Sequence, residues 1–111
     1  MSHYIAVTND KYSFESAIQE VVRAFAARKA VPLTASSHLE EDLGYTSLGF
    51  AELAFALEDL FDLEPVVPEV AVRLQTLSDI TELLGEKIQD GSATAPTETA
   101  VREYIERYTV D

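Results

Sequence analysis

Apolar side chains recur every three to four residues in several stretches of the chain, a spacing that predicts helices rather than strands. The first predicted helix covers residues 13–30, with Ser13 as its N-cap and a proline just beyond its end. Arg28 and Lys29 then fall in its last turn, where positive charge complements the helix dipole. Residues 1–12 show no sustained period and are expected to form a loose lead-in.

The second predicted helix runs from about Ser47 to Phe61, and its two faces differ in composition. One face should be buried, because it gathers Phe50, Leu53, Leu57, Leu60 and Phe61. The opposite face mixes large apolar side chains with carboxylates: it carries Leu48, Glu52, Phe55 and Asp59, with Ser47, Ala51 and Glu58 on its flank. Large apolar side chains that point to solvent among acids do not favour solubility and often mark an interaction site, so this face is a candidate binding surface.

The rest of the pattern completes a small helical fold. Residues 31–46 combine turn formers with spaced leucines and predict a long ordered loop held against the core. Residues 69–74 predict one short helical turn after two prolines. A last core helix is predicted over 76–89, with Thr76 or Ser78 as its N-cap.

We therefore expect an all-α fold, a four-helix bundle with three major helices and one short helix, plus an additional C-terminal helix. The expected organisation is a lead-in at 1–12, the bundle at 13–90, and a linker with an amphipathic extension at 91–111. Val101, Tyr104, Ile105 and Tyr108 form the apolar stripe of that extension. The stripe either packs back on the bundle or docks a partner, and the sequence leaves both open.

Composition narrows the classes of function. The 111 residues are 47% hydrophobic, enough for one modest core. Their 8 basic against 20 acidic residues give a net charge of −12, which repels nucleic acid and anionic membranes and favours basic protein partners. The region 47–90 holds ten acidic and two basic residues, a net charge of −8. With no secretory signal and no apolar run of bilayer length, we expect a cytoplasmic location.

Residues suited to catalysis are few. Cysteine is absent, which excludes disulfides, thiolate metal sites and cysteine nucleophiles. His3 lies in the loose N-terminal lead-in and His38 has no partner set nearby in sequence. Although a Ser–His–Asp triad could assemble in space, no nucleophile elbow favours one. Glu40, Glu41 and Asp42 lack the spacing of a calcium loop and are interpreted as solvated acids around a turn. We therefore predict no catalytic and no metal-ligating residue.

Ser47 is distinguished by its position, where the long loop becomes the second helix. A helix N-terminus offers free N–H groups and the positive end of the dipole, which suits a phosphate. The alternative is that Ser47 or Thr46 simply caps the helix, and position alone favours this alternative.

Residues 41–61, EDLGYTSLGFAELAFALEDLF, resemble the modification segment of acyl carrier proteins. In that family an E/D-D-L-G-x-D-S-L stretch opens the second helix and is followed by E-L, then A-L-E and a phenylalanine. The residues in register here are Leu43, Gly44, Ser47, Leu48, Glu52, Leu53, Ala56, Leu57, Glu58 and Phe61. The segment TLSDI at 76–80 is similar to the family's entry into its last helix, so the resemblance covers residues 13–89.

The resemblance implies that Ser47 carries 4′-phosphopantetheine, attached from coenzyme A by a phosphopantetheinyl transferase with magnesium. It also implies a carrier rather than an enzyme, because the thiol of the arm holds acyl intermediates as thioesters for loading and synthase enzymes. We expect a freestanding monomer that serves polyketide or other specialised synthesis rather than housekeeping fatty-acid synthesis. An aminoacyl or peptidyl carrier and an unmodified helical interaction module are the alternatives.

Partner enzymes with basic docking surfaces are expected to bind one side of the second helix. The recognition residues proposed there are Thr46, Leu48, Glu52, Phe55, Glu58 and Asp59.

Three residues near Ser47 qualify this expectation. Thr46 stands where the family usually has aspartate; it keeps the capping function but lacks the charge. Gly49 stands where many relatives have an acid, which lowers the local charge further. Phe50 should face inward beside the region where the family shelters an acyl chain, as ordinary core packing or as a residue that narrows the cavity for short or polar cargo.

Overall fold

The computed structural model describes residues 12–109, which contain five helices and no β-strand. The helices are α1 (Phe14–Phe25), α2 (Ser47–Leu60), α3 (Pro68–Ala71), α4 (Leu77–Gln89) and α5 (Glu98–Tyr108). The predicted all-α class is confirmed, with three major helices, one short helix and the additional C-terminal helix. Within the described range, no helix is long and apolar enough to cross a membrane. The predicted lead-in lies almost wholly outside the described residues.

The start of α1 agrees with the prediction, but its end does not. The Ser13 hydroxyl accepts the Ser16 N–H at 3.2 Å, which confirms the N-cap. The helix stops at Phe25, five residues short of the predicted end, so Arg28 and Lys29 lie beyond it.

Arg28 and Lys29 bind carbonyl groups instead of occupying the last turn of a helix. The Arg28 guanidinium donates to the Glu41 carbonyl at 2.8 Å, and its backbone N–H donates to the Leu43 carbonyl at 3.0 Å. Lys29 Nζ donates to the Ala26 carbonyl at 2.7 Å. The two Arg28 bonds hold the segment after α1 against the loop before α2, and such tertiary contacts override the local helical pattern.

The core lies between α1, α2 and α4 and includes the long loop. The largest fully buried side chains are Phe61, Ile18, Leu39, Leu43, Leu84, Val21, Val22 and Val101. Leu39 and Leu43 belong to the loop, so the prediction that it is pinned to the core is confirmed. Burial of a leucine side chain contributes about 1.5–3 kcal/mol, which makes these two residues strong anchors.

Two residues predicted to be buried are only half-buried. Leu53, Leu57 and Phe61 are buried as expected, whereas Phe50 and Leu60 retain partial exposure. Phe50 is half-exposed because it faces a cavity rather than solid core.

Thr76 is the N-cap of α4, and Ser78 is not. The Thr76 hydroxyl accepts the Asp79 N–H at 3.2 Å, while Asp79 Oδ2 accepts the Thr76 N–H at 3.0 Å and the Gln75 N–H at 2.9 Å. This reciprocal capping box satisfies free donors at the start of the helix. The same backbone donors hold the pKa of the Asp79 carboxyl below its usual value.

The C-terminal helix packs on the bundle. Val101 is fully buried, and Tyr104 and Ile105 pack against the same core. The Thr94 N–H donates to the Phe61 carbonyl at 2.8 Å, which ties the segment before α5 to the end of α2. Of the two roles left open for the extension, packing is what the structure shows.

Candidate functional site

Ser47 is the first residue of α2, and Thr46 caps the helix in its place. Thr46 Oγ1 accepts the Gly49 N–H at 3.3 Å, and the Thr46 carbonyl accepts the Phe50 N–H at 2.8 Å. Ser47 is exposed, and its hydroxyl makes no hydrogen bond within the described part of the chain. Because Thr46 supplies the cap, the Ser47 hydroxyl is left available for chemistry.

The turn that leads into Ser47 depends on Gly44. Its φ of +78° lies in the left-handed region, and a Cβ there would come within 3.0 Å of the Ala27 Cβ. Both constraints require glycine. The motif glycine therefore brings the loop into contact with the segment that follows α1.

Tyr45 is a residue that the sequence analysis did not single out. It is buried, its N–H donates to the Leu39 carbonyl at 3.0 Å, and its hydroxyl donates to the Val22 carbonyl at 2.6 Å. Burial raises the pKa of the Tyr45 hydroxyl, with a smaller contribution from the negative charge of Glu52, so the group stays a protonated donor. The sequence signal that could have indicated a buried Tyr45 is the presence of an aromatic residue beside the motif, within a segment of turn formers.

The structure places most of the proposed recognition residues on one exposed side of α2. Leu48 and Phe55 are 70% and 67% exposed, and Glu52 and Asp59 lie exposed between and beyond them. Thr46 is exposed at the start of the same helix. The helix contains no basic residue, so its surface carries uncompensated negative charge. Glu58 differs from the others, as the next paragraph describes.

An open cavity of about 620 Å³ lies between α2, α3, α4 and the loop before α2, within the size range of small-molecule sites. Its walls are mainly apolar and include Leu39, Phe50, Leu53, Leu57, Leu63, Val66, Leu74, Ile80 and Leu84. Glu40, Glu41 and Glu58 are the carboxylates among its lining residues. Glu58 is half-buried and belongs to this cavity as well as to the flank of the exposed side of α2.

The remaining candidate residues contribute to structure in the described chain. His38 is paired through its backbone: its N–H donates to Asp42 Oδ2 at 2.8 Å, and it forms an isolated bridge with Thr76. His3 lies outside the described residues. Between residues 12 and 109, no group of three or more histidine or acidic side chains is arranged to hold a metal ion.

Comparison with known proteins gives two findings. The family model described as "Phosphopantetheine attachment site" matches residues 16–84. The acyl carrier protein of Akkermansia muciniphila is 34% identical over 77 residues, which cover 69% of this chain and 94% of that protein. The chain belongs to the acyl carrier protein family. No solved structure matches it significantly.

Membership of the family establishes the class of function. Acyl carrier proteins are carriers rather than catalysts, they bear a 4′-phosphopantetheine prosthetic group, and they work with a phosphopantetheinyl transferase and with synthase enzymes. The family match ends at residue 84, so α5 of this carrier lies outside the matched region.

The start of α2 fits a phosphate-linked group. The hydroxyl of Ser47 is exposed, and within the described residues the N–H groups of Ser47 and Leu48 donate to no acceptor. Such first-turn donors, together with the positive end of the helix dipole, stabilise a bound phosphate.

Proposed function

We propose that Ser47 is the attachment residue for 4′-phosphopantetheine and that the carrier holds acyl or polyketide-type intermediates as thioesters. The observation that carries the proposal is the exposed Ser47 hydroxyl at the first position of α2, in register with the family motif and left free by the Thr46 cap. The prosthetic group, when bound, supplies the terminal thiol that forms the thioesters.

Attachment is a phosphoryl-group transfer in which Ser47 is the nucleophile. Its Oγ attacks the phosphorus of coenzyme A that bears pantetheine, and a new P–O bond forms. The bond between that phosphorus and the bridging oxygen breaks, so adenosine 3′,5′-bisphosphate leaves, while the serine proton passes to a base of the transferase. The first-turn N–H groups stabilise the resulting phosphodiester.

Recognition by partner enzymes is proposed to use the exposed side of α2. Leu48 and Phe55 supply apolar anchors that a complementary surface can bury. Glu52 and Asp59 attract basic side chains and orient the approach, and Glu58 adds negative charge at the cavity. Thr46 lies next to the attachment residue, where a transferase must make contact.

The attachment residue is tested by intact mass after incubation with coenzyme A, magnesium and a broad-specificity transferase. We expect a gain of one phosphopantetheine, abolished in Ser47→Ala and retained in Ser36→Ala, a matched change at another exposed serine. Modification of Ser47→Ala would show that another residue is the site. Failure of the wild-type chain with several transferases would favour the unmodified interaction module.

Phe50 is proposed to restrict cargo to short or polar chains. It lies in the cavity wall, and its ring centroid is 5.3 Å from that of Tyr45, whose hydroxyl is fixed to the Val22 carbonyl. Because Tyr45 is held in place, the Phe50 ring has little room to withdraw.

The cargo proposal is tested with hexanoyl and hexadecanoyl groups loaded on the arm. We expect the hexanoyl chain to shift the NMR signals of cavity residues such as Leu53, and the hexadecanoyl chain to enter only in Phe50→Ala. A long chain enclosed by the wild-type cavity would contradict the cargo proposal.

An aminoacyl cargo is the alternative, since Glu40, Glu41 and Glu58 would attract a protonated amine. Larger NMR shifts with an aminoacyl group than with the hexanoyl group would favour this alternative.

A further inference from the structure

Tyr45 connects the end of α1 to the start of α2. Since α1 ends at Phe25, the Val22 carbonyl is one of the last four of the helix, which lack intrahelical donors. The next N–H that could reach it, that of Ala26, donates to the Arg23 carbonyl instead. The Tyr45 hydroxyl donates to the Val22 carbonyl at 2.6 Å and thereby satisfies this buried acceptor.

The ring of Tyr45 also lies directly against the first turn of α2. Gly49 is buried, and a Cβ built on it would lie 3.2 Å from Tyr45 Cδ2, closer than ordinary van der Waals contact. The same Gly49 donates its N–H to the hydroxyl of Thr46. Tyr45 therefore touches the residue that completes the cap of the helix on which Ser47 lies.

These contacts fix the residue that precedes the cap at three points. The Tyr45 N–H is held by the Leu39 carbonyl, its hydroxyl by α1, and its ring by the Gly49 backbone. Only Thr46 separates Tyr45 from Ser47. The three contacts therefore converge on the segment that leads directly into the first turn of α2.

We propose that Tyr45, together with Gly49, is a positioning residue for phosphopantetheine attachment: the pair sets the direction in which the first turn of α2 presents the Ser47 hydroxyl to the transferase. The inference rests on the proposed role of Ser47 and adds a residue that never touches coenzyme A. It also explains on steric grounds why residue 49 is a glycine, since the absence of a side chain there makes room for the aromatic ring.

Two conservative variants test the pair. Gly49→Ala adds a methyl group that faces the buried ring and not the transferase, and it raises intrinsic helix propensity. Tyr45→Phe removes only the bond to Val22. We expect Gly49→Ala to lower kcat for attachment on the order of tenfold, because small misplacements of a reacting group are costly. Tyr45→Phe should lower kcat by a smaller factor, and KM for the carrier should stay within about twofold in both, since Glu52, Phe55 and Asp59 of the docking side lie beyond the first turn.

Val101→Ala is the matched control, because it weakens the buried core at α5 without touching the start of α2. It should reduce thermal stability and leave kcat unchanged at a temperature where every variant is folded. Wild-type kcat in both Tyr45→Phe and Gly49→Ala, or an equal loss in Val101→Ala, would overturn the inference.

Hydrogen exchange of the unmodified protein separates this inference from the proposed function. The N–H groups of Gly49 and Phe50, bonded to Thr46, should exchange several-fold faster in Gly49→Ala and Tyr45→Phe than in the wild-type protein. Exchange in α4 should not change. Unaltered exchange at Gly49 and Phe50 would overturn the positioning role whatever the transferase does, whereas failure to modify the wild-type chain would count against Ser47 alone.

Discussion

Of the two roles that an aspartate has at this position in the family pattern, capping the helix and supplying negative charge, Thr46 performs only the first. Its hydroxyl caps α2 through the Gly49 N–H, which leaves Ser47 exposed and free of hydrogen bonds within the described chain. It brings no negative charge to the positive end of the helix dipole. The low local charge noted from the sequence therefore depends more on Thr46, which is exposed, than on Gly49. Position 49 is buried, so it is not a place where an acidic side chain would face solvent.

Thr46→Asp is expected to keep the fold and to speed attachment. Aspartate caps a helix as well as threonine does, and its charge would attract a basic transferase surface. We expect kcat/KM to rise at low salt and the gain to shrink as salt is added. Thr97→Asp, the same exchange at the N-cap of α5, is the control and should leave kcat/KM for attachment unchanged at low and at high salt. Equal rates for Thr46→Asp and the wild-type protein at low salt would remove the electrostatic explanation.

Among the secondary-structure elements, the helix starts could be predicted from local sequence, whereas the end of α1 could not. The N-caps Ser13 and Thr76 were predictable, because a hydroxyl side chain followed by an apolar period is a local signal. The end of α1 was not, because it depends on Arg28 reaching carbonyls of the later loop and on Gly44 lying beside Ala27.

The candidate site divides in the same way. Helical spacing predicted that Ser47 begins the second helix and that Leu48 and Phe55 are exposed on it. The contacts of Tyr45 and Gly49 were not predictable, since Tyr45 is held by Val22 of α1 and Leu39 of the loop, and its ring lies against the Gly49 backbone.

Removal of residues 92–111 should destabilise the protein. The truncation removes the buried Val101 and the contacts of Tyr104 and Ile105, and we expect the free energy of unfolding to fall by about 2–4 kcal/mol. Thermal and urea unfolding measure the loss. Arg102→Ala is the control: its ion pair with Glu98, at 2.7 Å, is exposed and contributes little. A truncated protein that unfolds like the full chain would indicate that α5 serves partners and not the fold.

The whole molecule carries its charge unevenly. The net charge is −12, and residues 47–90, which include α2, α3 and α4, account for −8 of it. On the exposed side of α2, Glu52 and Asp59 present part of this charge beside Leu48 and Phe55. We therefore propose that long-range attraction guides basic partners to the surface next to Ser47 and that apolar contact then completes the complex.

Ionic strength should separate these two contributions. Screening shortens the reach of charge from about 30 Å at 0.01 M salt to about 8 Å at 0.15 M, so kcat/KM for attachment should fall as salt rises. Phe55→Ala should lower the rate by the same factor at every salt concentration, because it removes apolar area and no charge. A rate that does not depend on salt would contradict a steering role for the acidic surface.

The contact between Tyr45 and Phe50 has an optical consequence. The chain contains no tryptophan and five tyrosines, so tyrosine emission is not masked. One of these rings is buried, has its hydroxyl bonded to a carbonyl, and lies against a residue of the cavity wall. The carrier thus contains an intrinsic fluorophore, Tyr45, in contact with Phe50 of the cavity wall, and we expect its emission to change when a chain enters the cavity, without any added label.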